Sequence, residues 1–313
     1  MARTRVWTLT ATAALLAGLT TVAGCDAGDR DPEHVDVAAA FYPLQFVAER
    51  VGGDEVRVTA LAQPGAEPHD LELTPRQVAT VVDAELVVYL RGFQPTVDEA
   101  VAQNAADRAF DVATVEPLRD VAADHEDGAD LAVAHEHEGI DGKDPHVWLD
   151  PTRLATIADS LARRLAAIDP QHAAGYAARA RDLRADLDAL DREYADGLRT
   201  CQRRELVTSH EAFGYLAARY GLEQVGIAGL TPEQEPAPRR LAAVAEEAQA
   251  HGATTIFFET LVSPKVARTI AHEVGARTAV LDPIEGQQPD ATGDYLTVMR
   301  ANLAALRTAL GCS

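Results

Sequence analysis

Positive charge is scarce in this sequence. Lys and Arg together number 28 against 49 Asp and Glu residues, which gives a formal net charge of -21 at pH 7. This balance argues against a nucleic-acid partner, because the phosphates would be repelled. Long apolar runs are also missing after the N-terminus, so we expect a soluble body that does not span a membrane. An acidic, soluble chain is compatible with the capture of cations.

Common catalytic sequence patterns are missing too. Gly214 stands where a His-Glu-x-x-His zinc-protease helix beginning at His210 needs its second histidine. Ser209 lacks the flanking glycines of a nucleophile elbow, and no glycine-rich Lys-Ser/Thr phosphate loop occurs. We therefore expect a binding protein and not an enzyme.

The N-terminus has the pattern of an export signal followed by a lipid attachment site. Two arginines precede residues 6–22, an apolar and small-residue stretch that is too short for a lasting transmembrane helix. It ends in Val22-Ala23-Gly24-Cys25, which resembles the lipobox of bacterial lipoproteins, where the cysteine becomes the diacylated first residue. Two acyl chains give stable anchoring to the extracytoplasmic face of the cell membrane. We predict a signal peptide over 1–24 and a polar tether over 25–34; an ordinary secretory signal is the alternative.

Only two other cysteines remain, and export places them in an oxidising compartment. We predict a disulfide between Cys201 and Cys312, which form an even pair. Two buried free thiols are the alternative, since a bridge requires Cα atoms within about 7 Å of each other.

Short β-prone runs alternate with helix-length amphipathic segments, which is the pattern of parallel sheets covered by helices. The fold class is therefore α/β, with two parallel-sheet (βα)4-type lobes over residues 35–170 and 200–313. The predicted strands are residues 35–40, 56–61, 86–90, 109–112, 205–208, 224–227, 255–258 and 278–281. The predicted helices are residues 44–51, 75–82, 97–104, 151–169, 212–220, 237–251, 264–274 and 293–310.

The segment between the lobes is continuously compatible with one long helix. Residues 171–199 contain no proline and repeat apolar or aromatic residues at one- or two-turn spacing. Such a rigid helix would be roughly 40 Å long, enough to cross the back of both lobes. A long surface helix of a single domain is the alternative; we favour the connecting helix, because the second α/β series begins where it ends.

One segment of the first lobe breaks the α/β pattern. Residues 118–144 are strongly acidic, have little apolar periodicity and hold His125, His135 and His137. We expect a mobile loop there. It could recruit zinc weakly, or it could be a solvated insertion, and composition favours neither.

Four local patterns follow predicted strands or precede predicted helices. In open parallel sheets, ligands bind at the carboxyl ends of strands, so these patterns should face one another across the cleft between the lobes. Their candidate metal ligands are His69 in residues 64–70, His146 in residues 144–151, His210 in residues 208–213 and Asp282 in residues 281–286.

Three imidazoles and one carboxylate suit Zn²⁺ in tetrahedral geometry. Each imidazole must be neutral to coordinate, so the affinity should fall as the pH drops through the histidine range. Glu67, Glu211 and Glu285 lie near the predicted ligands and could compete with Asp282, which we rank first. Any one pattern alone could be a simple loop or turn; the set of four in this order is specific.

Together these patterns resemble the zinc and manganese solute-binding proteins of ABC transporters, of the zinc-uptake periplasmic type, over essentially the whole mature length. The resemblance implies two four-stranded lobes joined by a long helix, a metal in the cleft, and delivery of the ion to a membrane permease driven by a cytoplasmic ATPase. We expect the protein to be a monomer. The resemblance rests on Glu67-Pro68-His69-Asp70, Asp144-Pro145-His146-Val147-Trp148-Leu149-Asp150-Pro151, Ser209-His210-Glu211-Ala212-Phe213-Gly214-Tyr215 and Leu281-Asp282-Pro283.

The resemblance also bears on which metal is bound. In that family, the third ligand position is commonly histidine in zinc receptors and glutamate in manganese receptors, and here it is His210. Nitrogen donors favour zinc, whereas manganese prefers oxygen.

The alternatives to a zinc receptor are a manganese receptor of the same family, a surface adhesin lipoprotein, and, as an enzyme, a zinc hydrolase. A catalytic zinc needs an open coordination position, which Asp282 as fourth ligand would close.

Overall fold

The computed structural model describes residues 34–120, 142–232 and 236–313. The predicted export signal, Cys25 and nearly all of the predicted tether therefore lie outside the described residues. The same holds for residues 121–141, which include the three histidines of the acidic segment.

The first lobe contains a parallel four-stranded sheet with strand order β2-β1-β3-β4. Its third strand is buried along its whole length, as expected for a parallel sheet that is covered on both faces. Its strands are β1 (Val35–Ala39), β2 (Val56–Ala60), β3 (Leu86–Tyr89) and β4 (Ala109–Asp111), with helices α1 (Tyr42–Gly52), α2 (Pro75–Asp83) and α3 (Pro95–Asn104) between them.

A short antiparallel pair and two long helices follow the first sheet. The pair consists of β5 (Arg119–Asp120) and β6 (Lys143–Asp144), which flank residues 121–141 and were not predicted from the sequence. Helix α4 (Pro151–Ile168) begins as expected, because the Asp150 side chain caps it by accepting a hydrogen bond from the Thr152 N–H at 2.9 Å.

The second lobe repeats the architecture with strand order β10-β9-β7-β8, again with parallel pairs. Its strands are β7 (Glu205–Thr208), β8 (Glu223–Gly226), β9 (Thr255–Phe258) and β10 (Arg277–Val280), and its helices are α6 (Gly214–Tyr220), α7 (Pro238–Ala250), α8 (Lys265–Val274) and α9 (Tyr295–Leu310). The predicted fold class is confirmed, and each predicted strand of the two sheets lies within one residue of the observed one at both ends.

Helix α5 (Ala173–Gly197) is the predicted long helix. Its 25 residues make a rod of about 37 Å. It packs against α1 and α4 of the first lobe and against α9 of the second. The Arg179 side chain donates to the carbonyl of Val51, at the end of α1, while the Tyr194 hydroxyl donates to the carbonyl of Met299 in α9 at 2.6 Å. The helix therefore contacts both lobes.

The core is shared between the lobes. One hydrophobic cluster runs from the first sheet through α4, α5 and α9 to residues of the second lobe, and a smaller cluster lies between the second sheet and helices α7 and α8. The described residues belong to one compact unit. None of the described helices combines the length and the apolar character that crossing a membrane requires.

A disulfide joins Cys201, just after α5, to Cys312, just after α9, which confirms the predicted pairing. The two cysteines are 111 positions apart. The bond therefore closes a loop that contains almost all of the second lobe.

Removal of this disulfide is expected to lower stability strongly. Loop-closure entropy predicts a loss of about 4.7 kcal/mol in the free energy of unfolding for a loop of about 100 residues. Urea unfolding of a signal-free C201A/C312A variant, followed by circular dichroism, measures the change, and the wild type under reducing agent should shift in the same direction. Equal midpoints in all three samples would contradict the prediction.

Candidate metal centre

Three of the four predicted ligands lie together in the structure. The imidazoles of His69, His146 and His210 and the carboxylate of Glu285 each offer a ligand atom, and these four atoms lie within 4.8 Å of one another. Side-chain exposure is 8% for His69 and at most 1% for the other three residues. The group is therefore almost completely removed from solvent.

Loops of both lobes carry these side chains. His69 follows β2, and His210 and Glu285 follow β7 and β10, so these three obey the expected placement after parallel strands. His146 follows β6, which belongs to the small antiparallel pair, and precedes the turn that leads into α4.

The loops of the two lobes also touch directly. The Gly65 N–H donates to the carbonyl of Gln287 at 2.6 Å, and Gly65 has φ of 86°, a conformation that favours glycine. A Cβ on Gly286 would come within 3.2 Å of the carbonyl of Ala66. Glycine at these two positions permits the close approach that brings His69 to Glu285.

Glu285 lies at the centre of the cluster. Its Oε1 is 3.1 Å from Nε2 of His146, 3.1 Å from Nε2 of His210 and 3.5 Å from Nε2 of His69. In a tetrahedral zinc site, bonds of about 2.0–2.1 Å place neighbouring donor atoms about 3.3 Å apart. The distances from the carboxylate to the three imidazoles are therefore close to those of a tetrahedral zinc site.

Several atoms of the cluster are buried and make no hydrogen bond with the described residues. They are Nε2 of His69, Nε2 of His146 and Oε2 of Glu285. A buried polar atom without a partner is costly. A cation bound at this position would satisfy these atoms, so the site has the chemistry of a metal centre.

Carboxylates outside the cluster orient two of the imidazoles. Nδ1 of His146 lies 2.8 Å from Oδ1 of Asp144, and Nδ1 of His210 lies 2.8 Å from Oε1 of Glu259. The Ser209 hydroxyl also donates to Oε1 of Glu259, at 2.6 Å. With Nδ1 held in this way, each ring presents Nε2 to the cluster, which is the usual arrangement of metal-ligating histidines.

The electrostatics differ among the three imidazoles. Burial lowers the pKa of His210, but the nearby carboxylates of Glu259 and Glu285 outweigh it and raise this pKa well above 6.5. The pKa of His146 is also raised, because Asp144 and Glu285 outweigh its burial. The pKa of His69 is lowered, chiefly by burial. Burial raises the pKa of Glu285, but the three imidazoles bring it well below 4.5.

Aromatic side chains form one wall of the site. The Phe93 ring lies 4.6 Å from the His69 ring and 5.4 Å from the Trp148 ring, measured between centroids. The buried Gln94 side chain donates to the carbonyl of Pro68 at 3.1 Å, which fixes the backbone next to His69. The Trp148 indole N–H donates to the carbonyl of Pro283 at 2.7 Å, which links the His146 segment to the Glu285 segment.

The structure does not bring Asp282 to the imidazoles, although from the sequence we ranked Asp282 first among the candidate carboxylate ligands. Its Oδ1 accepts a hydrogen bond from the Ile284 N–H at 2.8 Å, and its Oδ2 accepts one from the Thr260 hydroxyl at 2.7 Å. Both oxygens are thus engaged within the second lobe. Glu285, which the sequence ranked lower, occupies the place expected for Asp282.

The other glutamates that we ranked below Asp282 lie outside the imidazole cluster. Glu67 belongs to an acidic group with Glu259 and Glu285, which shares Glu285 with the imidazole cluster, and one of its oxygens accepts a hydrogen bond from the His69 N–H at 3.1 Å. Glu211 lies 3.5 Å from Arg240. Sequence reasoning missed Glu259 altogether, because it follows β9 without any recognisable motif; its place at the end of a parallel strand was the only signal.

Two parallel-sheet lobes joined by a long helix, with a buried histidine and glutamate site built from loops of both, define a two-lobed metal-binding solute receptor. A family model described as ZnuA, zinc-uptake complex component A, periplasmic, matches residues 37–309. The chain belongs to this family.

Individual relatives agree with this membership. The chain is 32% identical over 289 residues to the high-affinity zinc uptake system protein ZnuA of Bacillus subtilis, covering 90% of this chain and 89% of that protein. It is 33% identical to the zinc-binding lipoprotein AdcA of Streptococcus pneumoniae over 87% of this chain, and the match spans 55% of AdcA. The solved structure of the laminin-binding protein Lmb of Streptococcus agalactiae, described as having adhesin and metal-transporting activity, superposes with a TM-score of 0.76 at 32% identity over 88% of this chain and 99% of that chain.

Proposed function

We propose that this protein is the extracytoplasmic zinc-binding receptor of an ABC-type importer and that it delivers Zn²⁺ to the membrane permease. The observation that carries the proposal is the buried cluster of three imidazoles and one carboxylate, whose donor spacing fits a tetrahedral ion. The zinc-uptake names of the relatives support the same cargo.

The proposed ligands are Nε2 of His69, His146 and His210 and the carboxylate of Glu285. An incoming ion would lose its waters and exchange them for donors from both lobes. Because α5 packs against both lobes, we expect small lobe tilts and loop ordering on binding and release instead of wide hinge closure. Release would require the permease to separate ligands that belong to different lobes.

A zinc hydrolase fits the site less well. Four protein ligands would fill the tetrahedral positions, whereas a catalytic zinc keeps one open for water. The Ser209 hydroxyl donates to Glu259, a carboxylate that orients His210, and so serves the metal site. We propose a receptor without catalytic activity.

The proposed location follows from the N-terminal sequence. Lipid attached to Cys25 would hold the receptor at the extracytoplasmic face of the cell membrane, next to the permease and its cytoplasmic ATPase, and we propose that it acts there as a monomer.

Adhesion is the second candidate function, because Lmb is described as an adhesin as well as a metal transporter. Growth of a deletion strain under zinc limitation separates the two, since only loss of uptake impairs it.

Zinc is expected to outcompete manganese at this site. Three of the four proposed ligands are nitrogen donors, which favour zinc over manganese. Elemental analysis of the signal-free protein, after equilibration with equal zinc and manganese and removal of free ions, should give zinc at about one ion per chain with little manganese. Predominant manganese occupancy would overturn the proposed selectivity.

A further inference from the structure

The turn that carries Glu285 has an unusual backbone. Ile284 has φ of 60° and is the one non-glycine residue with positive φ in the described part of the chain. A β-branched side chain is sterically disfavoured in this left-handed region. Such a conformation persists only where surrounding contacts impose it. Ile284 directly precedes the carboxylate that completes the imidazole cluster.

Asp282 makes the contacts that impose this conformation. Its Oδ1 accepts a hydrogen bond from the Ile284 N–H at 2.8 Å, which closes a tight turn over Pro283. Its Oδ2 accepts a hydrogen bond from the Thr260 hydroxyl at 2.7 Å and so ties the turn to the segment after β9. One carboxylate therefore fixes both the shape of the turn and its place.

The backbone around this carboxylate is clamped as well. The buried Asn302 of α9 donates to the carbonyl of Asp282 at 2.7 Å and accepts from the Asp282 N–H at 2.9 Å. The Trp148 indole donates to the carbonyl of Pro283, and the Tyr42 N–H donates to the carbonyl of Glu285 at 3.3 Å. Every residue from Asp282 to Glu285 thus has a fixed hydrogen bond.

We propose that Asp282 is a positioning residue: it holds Ile284 in the left-handed conformation and thereby directs the Glu285 carboxylate to the metal. The inference rests on the proposed zinc-receptor function, since it assigns a role within that site. A positioning role and direct metal ligation by Asp282 predict different effects of substituting this residue. A positioning role needs the hydrogen-bonding shape of the side chain, whereas a ligand needs its negative charge.

Substitutions at residue 282 distinguish these roles. Asp282→Ala removes both hydrogen bonds and should lower the zinc affinity about 10- to 100-fold, as is typical for outer partners of metal ligands. Asp282→Asn keeps an oxygen for the Ile284 N–H and an amide that can donate to Thr260, so it should recover most of that loss. An Asn variant that binds zinc as poorly as the Ala variant would overturn the proposal.

Cobalt(II) provides a readout that general destabilisation would not imitate. Its visible absorption depends on coordination geometry, so Asp282→Ala should change the spectrum of the cobalt-loaded protein by displacing Glu285, whereas Asp282→Asn should preserve it. Asp290→Ala, which removes an exposed carboxylate from the same segment, is the matched control and should behave as the wild type. Unchanged zinc affinity and an unchanged spectrum in Asp282→Ala would also overturn the proposal.

Two further comparisons separate a failure of the positioning role from misfolding of a variant and from a failure of the receptor function. If Asp282→Ala does not fold, as judged by circular dichroism without metal, Asp282→Asn alone decides: an affinity loss as large as that of Glu285→Gln would reject positioning. If the wild type and Asp290→Ala fail to bind zinc, the receptor function fails, independently of the role of Asp282.

Discussion

Replacement of His146 by alanine is expected to lower the zinc affinity by more than about 100-fold, because even the outer partners of metal ligands contribute about 10- to 100-fold. The His146 side chain is fully buried, its Nε2 lies 3.1 Å from Oε1 of Glu285, and that nitrogen has no hydrogen-bond partner among the described residues. Its loss leaves three donors for an ion that requires four. Competition against a chromophoric zinc chelator, with the signal-free protein, measures the change.

The control for this variant is His272→Ala. His272 is an exposed histidine on α8 that does not belong to the cluster of His69, His146, His210 and Glu285, and its removal should leave the zinc affinity at the wild-type value. Circular dichroism of metal-free His146→Ala should show the wild-type helix content. Wild-type affinity in His146→Ala would exclude this residue from the ligand set and would leave the receptor proposal without its central observation.

The strands could be predicted from sequence because local patterns determine them. Buried runs such as Leu86–Tyr89 and Glu205–Thr208 are short, β-prone and bounded by helix-length segments, so the periodicity identifies both the element and its ends. The three histidines could be predicted for the same reason, since each belongs to a local motif next to a predicted element. The pair β5 and β6 could not, because two residues in each strand give no periodic signal.

The carboxylate that joins the imidazole cluster could not be identified from the sequence, because its position depends on one backbone angle. Asp282 follows β10 within two residues, so a simple extension of the strand places it nearest the cleft. The left-handed conformation of Ile284 redirects the chain and brings Glu285 to the imidazoles. Nothing in the sequence indicates positive φ at an isoleucine, since this residue type disfavours it. The local hydrogen bond from the Ile284 N–H to Asp282 and the tertiary one from Thr260 to Asp282 hold the turn that contains this angle.

The contacts that hold β5 and β6, the two strands on either side of residues 121–141, could not be predicted from the sequence either. The Tyr215 hydroxyl donates to the carbonyl of Asp144 at 2.9 Å and accepts from the Arg119 N–H at 2.8 Å. One side chain at the start of α6 thus holds both β5 and β6, close to His146. The motif that contains His210 therefore also fixes the segment that contains His146, a link between lobes that sequence spacing cannot reveal.

Zinc binding is expected to release protons at neutral pH, and the affinity should fall steeply with acidification. The raised pKa values of His146 and His210 mean that both imidazoles hold a proton in the metal-free protein up to higher pH than an ordinary histidine. Zinc must displace these protons. The lowered pKa of His69 leaves that ring neutral, and the lowered pKa of Glu285 leaves its carboxylate ionised, so neither adds a proton at pH 7.

Below the raised pKa values, two displaced protons would make the affinity fall about 100-fold for each pH unit. Above them the affinity should become independent of pH. Titration calorimetry at pH 7 in two buffers with different ionisation enthalpies counts the released protons, and chelator competition between pH 5.5 and 8 gives the slope. Binding at pH 7 without proton release would contradict the assigned charge state of the metal-free site.

Substitution of Glu259 by Gln tests whether the Glu259 carboxylate is what raises the pKa of His210. The amide oxygen can still accept from Ser209 and from Nδ1 of His210, so the ring stays oriented, but the negative charge that raises the pKa of His210 is gone. His210 should then lose its proton at lower pH, and zinc binding at pH 7 should release fewer protons than in the wild type. Proton release equal to that of the wild type would show that Glu259 does not set the charge of His210, and the raised pKa of His210 would then have to come from the Glu285 carboxylate.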